Sequence, residues 1–159
     1  MRILYHNRTR APKAVEKELG AKYASLEKLL GESDFVSLNL PYSPEAHHLI
    51  GSAQLALMKP TAVIVNAARG GIVDDAALVA ALKERRIAAA GLDVFEGEPK
   101  FNPGFLEVDN AVLIPHIGSA TRATRMKMNL VAVKNLTAAL SGRRPPNLLN
   151  PEAWSKRRR

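Results

Sequence analysis

Three short stretches of the chain carry side chains that could act together on an anionic carbonyl compound. Asn66-Ala67-Ala68-Arg69-Gly70-Gly71 sets an arginine between alanines and a glycine pair. Such a turn can project a planar, five-donor guanidinium, which suits two-pronged capture of a carboxylate or phosphate. Further on, Glu96 and Glu98 precede Pro99, and Pro115-His116-Ile117-Gly118 offers an imidazole. An imidazole with the ordinary pKa near 6.5 donates protons poorly at neutral pH unless a carboxylate beside it favours the charged form. Taken singly, an arginine in a glycine turn or one histidine after a strand has an ordinary structural reading. As a set, Arg69, Glu98 and His116 could hold an anion and deliver a proton to a carbonyl oxygen next to its carboxylate, with no nucleophile required.

Bringing these residues together requires neighbouring parallel strands, and the chain has the pattern for them. Ile3-Leu4-Tyr5 reads as a strand. Ala11–Leu19 reads as a short helix with Pro12 in its first turn and Gly20 at its C-terminal end, and Ser25 caps a second helix closed by Gly31. Phe35–Leu40 is a strand ending at Pro41, and the apolar run Ala62–Val65 is expected in a sheet covered on both faces. Asp74 N-caps a helix over Asp75–Arg86, Ala88–Val94 and Ala111–Ile114 return as strands, and Ala120 to about Ser141 keeps helical spacing up to Gly142. Arg143–Arg159 reads as an extended arm with a basic end. Regular alternation of strand and helix means a parallel α/β sheet. Its chemistry belongs at the carboxyl ends of the strands, where all three stretches fall.

The loop after the first strand, Asn7-Arg8-Thr9-Arg10, contains no carboxylate. In a dinucleotide-binding sheet an acidic residue near this place bonds the ribose hydroxyls, whereas an arginine accommodates a 2′-phosphate. NADP(H) is therefore favoured over NAD(H), which stays possible. Composition narrows the remaining classes. The 159 residues are 47% hydrophobic and carry a net charge of +8, divided as +4 over residues 1–30, −1 over 31–142 and +5 over 143–159. That uneven spread argues against a nucleic-acid face running through the body. With no cysteine there is no disulfide and no thiolate-ligated zinc, and no metal ligands are assigned. No apolar run approaches the roughly 20 residues that span a bilayer, so a cytoplasmic protein without membrane partners is expected.

Asn66–Asp74, Gly91–Pro99 and Pro115–Thr121 resemble, in order and at similar spacing, signatures of the D-isomer-specific 2-hydroxyacid dehydrogenases, and more narrowly the glyoxylate/hydroxypyruvate reductase branch. The Pro146–Asn150 ending fits as well, so the resemblance covers residues 2–154. It implies a Rossmann-type doubly wound parallel sheet, with residues 1–142 as part of an NAD(P)-binding domain and 143–159 as an arm and basic tail. It implies NAD(P)-dependent reduction of a small 2-keto acid, glyoxylate or hydroxypyruvate. Arg69 matches the arginine that binds the substrate carboxylate, His116 the general acid/base, and Glu98 the carboxylate that orients the histidine. Ala67, Ala68, Asp93, Ile117 and Gly118 match positions near the nicotinamide, together with Arg69 and His116 themselves. Asn7, Arg8 and Thr9 match the 2′-phosphate loop and Pro41 a loop against the cofactor. For a full-length form the resemblance implies a homodimer.

One departure is large. Members of the family carry a strand, a Gly-x-Gly-x-x-Gly turn and a helix before the strand corresponding to Ile3–Tyr5, and no such glycine turn occurs here. The sheet is expected to be incomplete, lacking its first strand between Ile3–Tyr5 and Phe35–Leu40, and the isolated chain is expected to be inactive or nearly so. His47 and His48 are expected at the surface without a role. The alternatives are a non-catalytic, corepressor-like protein of the same fold, disfavoured because Arg69, Glu98 and His116 are all present, and an anion- or nucleic-acid-binding module using the basic ends.

Overall fold

The computed structural model describes residues 1–156. Of the basic end, Arg157–Arg159 lie outside the described residues. The chain forms two compact units, Met1–His116 and Ile117 onward.

The first unit runs β1 (Ile3–Tyr5), α1 (Lys13–Leu19), β2 (Ala21–Tyr23), α2 (Leu26–Glu32), β3 (Phe35–Leu38), α3 (Ser52–Leu57), β4 (Val63–Asn66), α4 (Asp75–Lys83), β5 (Ala89–Leu92) and β6 (Ala111–Leu113). Short 3-10 turns at Pro44–Ala46 and Pro103–Glu107 complete it. Every strand pair is parallel, as the alternating pattern requires. The strands form two sheets: β1 pairs with β2, and β3-β4-β5-β6 follow one another in order. Among the described residues β1 has a ladder partner on one side only, and so does β3. This matches the expected interruption between these two strands.

Residues alternate across the larger sheet. Val36, Ile64 and Ala90 share one face with Leu38 and Leu92, and they are buried with Leu30, Leu55, Leu78, Leu82, Ile87 and Phe105 in a single core. The opposite face differs from expectation. Ser37, Val65, Gly91 and Val112 lie in register across it, yet Val65 is 38% and Val112 68% exposed, and Phe35 reaches 72%. The apolar run of β4 is therefore covered on one face only, because the elements of this unit that bury apolar residues do so on the other.

Capping sets the helix ends. The Ser25 hydroxyl accepts the Lys28 N–H at the start of α2, and Asp74 accepts the Ala77 N–H at the start of α4. α1 stops at Gly20, whose φ of +61° is the left-handed conformation glycine adopts without a steric cost. Gly31, expected to close α2, lies inside it, and Ser33 is the cap. A glycine without positive φ gives no stop signal by itself.

In the second unit α5 (Arg122–Leu140) starts at Thr121, whose hydroxyl accepts the Thr124 N–H, and it buries no residue. The arm beyond it is not wholly extended. Asn147 donates its N–H to Asn135 Oδ1 at 2.9 Å and accepts from Asn135 Nδ2 at 3.1 Å, tying the arm back to α5. Pro151 then opens α6 (Pro151–Ser155) from the first-turn position that tolerates a missing N–H. Among the described residues, no helix is long and apolar enough to cross a membrane.

Candidate active site

Asn66 ends β4 almost fully buried, at 2% exposure. Its amide spans the turn that follows: Oδ1 accepts the Ala68 N–H at 3.1 Å and Nδ2 donates to the Arg69 carbonyl at 3.0 Å. A buried side chain thus holds the backbone of Ala67–Arg69 in place while the Arg69 side chain stays exposed. Gly70 completes the turn. A Cβ there would stand 1.8 Å from the Phe95 carbonyl oxygen, so only glycine lets this loop pass against the loop after β5.

That second loop positions the carboxylate. Glu98 Oε1 accepts the Phe95 N–H at 2.8 Å, and Oε2 lies 2.8 Å from His116 Nδ1. One oxygen is thereby anchored to backbone and the other orients the imidazole, leaving Nε2 as the nitrogen available to a reactant. Hydrogen bonding from His116 pulls the Glu98 carboxyl below its ordinary pKa, against the opposing effect of partial burial. His116 itself has a φ of +51°, an uncommon conformation for a residue with a Cβ. Arg69, Glu98 and His116 line one cleft of about 410 Å³ with Gly70, Gly71 and Phe95.

Arg69 also borders a second cleft of about 530 Å³, where Asn39, Leu40, Pro41 and Tyr42 face Ala67 and Ala68. The sequence-selected residues Pro41, Ala67 and Ala68 are therefore brought together, and small side chains keep their wall open. Asp93 is buried at the end of β5, its N–H donated to the Asn66 carbonyl at 3.0 Å. Ile117 and Gly118 open the second unit. Asn7, Arg8 and Thr9 form the exposed loop after β1, where the Arg8 N–H donates to Asn7 Oδ1 at 2.9 Å. The neighbouring Arg10 is already engaged: it donates twice to Glu16, at 2.7 and 2.8 Å, while Tyr5 donates to the same carboxylate at 2.6 Å. These contacts, with Arg10 foremost, pull the Glu16 carboxyl down to about 2. Arg8 has no ion pair among the described residues and remains open to an anion.

Two features escaped sequence reading. Asn66 looked like an ordinary loop residue, although its place at the end of an apolar strand was the available signal for a buried amide. His47 and His48 are also drawn to the site. His48 Nε2 lies 2.9 Å from Glu96 Oε2, which raises the histidine's pKa, and His47 lines the first cleft. No local pattern announces this, because Glu96 lies 48 residues away.

Residues 1–118 match the model of the D-isomer specific 2-hydroxyacid dehydrogenase, NAD binding domain. The chain belongs to this family. Among its relatives, the glyoxylate reductase of Aeropyrum pernix is 55% identical over 154 residues, covering 96% of this chain and 45% of that protein. The crystal structure of a glyoxylate reductase from Paecilomyes thermophila is 47% identical with a TM-score of 0.79, over 87% of this chain and 42% of that one. An NADPH-dependent glyoxylate/hydroxypyruvate reductase from Sinorhizobium meliloti, solved with NADP and malonate, is 36% identical with a TM-score of 0.80, over 88% and 43%. The chain thus spans about half the length of the relatives it matches. Its parallel sheet is that of a Rossmann-like NAD-binding domain, present in part.

Proposed function

We propose that this dehydrogenase chain carries the catalytic half of an NADPH-dependent reductase of small 2-keto acids, glyoxylate or hydroxypyruvate. The observation that carries the reading is the 2.8 Å contact between Glu98 and His116 in the same cleft as Arg69. The Arg69 guanidinium binds the substrate carboxylate and draws electron density from the adjacent ketone. His116 donates a proton from Nε2 to the ketone oxygen. Glu98 holds the imidazole ring in place, its Oε2 2.8 Å from Nδ1, so that Nε2 faces the substrate. In the oxidative direction the same imidazole accepts the hydroxyl proton.

The dinucleotide fits the residues at its two ends. Pro41, Ala67 and Ala68 leave an open wall beside Arg69 for the nicotinamide, and Asn7, Arg8 and Thr9 suit a 2′-phosphate, with Arg8 as its countercharge. When bound, the cofactor supplies a hydride to the 2-keto carbon. For the diphosphate between those ends, the chain has no glycine-rich turn of backbone N–H groups. Residues 1–159 alone are accordingly inactive or nearly so, and measurable NADPH-dependent reduction of glyoxylate or hydroxypyruvate by the purified chain would overturn that part of the reading.

The catalytic assignment is tested by fusing the N-terminal half of the Aeropyrum pernix relative ahead of Met1. The chimera is expected to reduce glyoxylate or hydroxypyruvate with NADPH in preference to NADH. H116Q in that chimera should lower kcat by about 10²–10⁴-fold while leaving NADPH binding intact. A folded chimera that binds NADPH but reduces neither acid would sink the proposal.

A further inference from the structure

On the wall of the proposed reductase cleft, and independent of its assignment, two loops bring together two imidazoles and a carboxylate that the proposed proton transfer does not use. We propose that His47, His48 and Glu96 bind a divalent transition-metal ion of the Zn²⁺ type. His48 Nε2 lies 2.9 Å from one Glu96 oxygen and His47 Nε2 3.9 Å from the other, and one ligand atom from each residue falls within 4.8 Å of the other two. Metal–ligand bonds of about 2.0–2.2 Å in tetrahedral geometry place donor atoms roughly 3.4 Å apart. The donors must close from separations of up to 4.8 Å, and the His47 and His48 rings, stacked with centroids 3.8 Å apart at 22°, must turn so that both Nε2 lone pairs converge on the ion. Two imidazoles and a carboxylate are a donor set suited to zinc, and three protein ligands leave a fourth position for water.

The surroundings have the form of an outer shell. Ligating histidines usually present their second ring nitrogen to a polar partner that sets the tautomer and ring orientation. His47 does so here, with Tyr42 Oη 3.3 Å from its Nδ1, while Asp74 Oδ2 stands at the longer ion-pair distance of 3.9 Å from His48 Nδ1. Each Nε2 is thus the nitrogen turned toward Glu96. The backbone is tied as well. The His48 N–H donates to the Gly71 carbonyl at 2.8 Å, the Ile50 N–H to the Ile72 carbonyl at 3.1 Å, and the Glu96 N–H to Asp75 Oδ2 at 3.2 Å. His48 is held at a φ of +52°, a conformation uncommon for a residue with a Cβ that persists where surrounding contacts enforce it. Gly71 leaves room for the pair, since a Cβ there would stand 3.4 Å from His47 Nδ1 and 3.3 Å from the Tyr42 ring.

The test is calorimetric titration of the full chain with ZnSO₄, followed by Co²⁺ titration read by visible absorption. One equimolar binding event is expected, with the absorption of a four- or five-coordinate cobalt ion. H48Q and E96Q should each weaken Zn²⁺ binding by at least about tenfold, and D74N, which preserves the helix cap, by about tenfold through the outer contact. H116Q, which removes the other His–Glu pair, should leave binding unchanged. Absence of stoichiometric binding, or binding undiminished in the H47A/H48Q double variant, would overturn the site. Should a variant fail to fold, line broadening by Co²⁺ in the NMR spectrum of the unaltered chain decides: it is expected at the imidazoles of His47 and His48, and broadening confined to His6 or His116 overturns the proposal.

Discussion

A buried carboxyl and a glycine do opposite things at the site. Asp75 is buried, and burial foremost pushes its pKa from 3.8 up to about 6. The folded state therefore holds this proton more tightly than the unfolded chain. Stability from the group is fully present below about pH 4, declines as pH rises, and has been lost above about pH 6, a change of up to about 3 kcal/mol. D75N, whose amide oxygen can still accept the Glu96 N–H, should remove this decline. Urea unfolding at several values between about pH 4 and pH 7 should then show the variant gaining on the natural chain as pH rises; parallel curves would contradict the assignment. Gly70 is a steric case. Because a Cβ would overlap the Phe95 carbonyl at 1.8 Å, G70A must separate the loops that carry Arg69 and Glu98. We expect a loss of at least about 1–3 kcal/mol, measured as a lowered urea midpoint.

At the scale of elements, the caps and the strand termini decide where chemistry can occur. β4 and β5 are adjacent and parallel, with Asn66 opposite Leu92, so the loops that follow them emerge side by side. That adjacency, and not proximity in sequence, places Arg69 in one cleft with Glu98. α2 carries an avoidable weakness. Gly31 lies within the helix without positive φ, and a Cβ there would meet only the Leu57 carbonyl oxygen, at the ordinary distance of 3.7 Å. G31A should therefore stabilise the chain by about 0.4–1 kcal/mol by reducing the freedom of the unfolded state. A thermal or urea midpoint that falls instead would show that the helix end needs glycine.

Among the described residues, the unpaired sides of β1 and β3 and the wet face holding Phe35, Val65 and Val112 are the dominant physical facts. Unpaired strand edges and open apolar surface favour association. Along α5, Met126, Leu130, Val133 and Leu136 are each at least half exposed, which adds to that surface in the second unit. The purified chain should bind the dye ANS and show a mass that rises with concentration in light scattering. F35K/V112K should reduce both effects, and a monomer that ignores the dye at all concentrations would contradict the prediction.

The family resemblance implied the interruption between β1 and β3; the sequence by itself determined the strand and helix alternation and the capping at Ser25 and Asp74, and it singled out Arg69, Glu98 and His116 as candidates. These are legible because they rest on local periodicity and on motifs a few residues long. It missed β2 and α3, which are three and six residues long and carry too little pattern to register. Only the tertiary structure decided that Asn66 is the buried clamp of the arginine loop, that Arg10 is consumed by Glu16 while Arg8 stays open, and that His47 and His48 meet Glu96 from 48 or 49 positions away. Such meetings depend on which strands neighbour each other and on which face a chain segment presents, and neither is encoded in the spacing of the residues that meet.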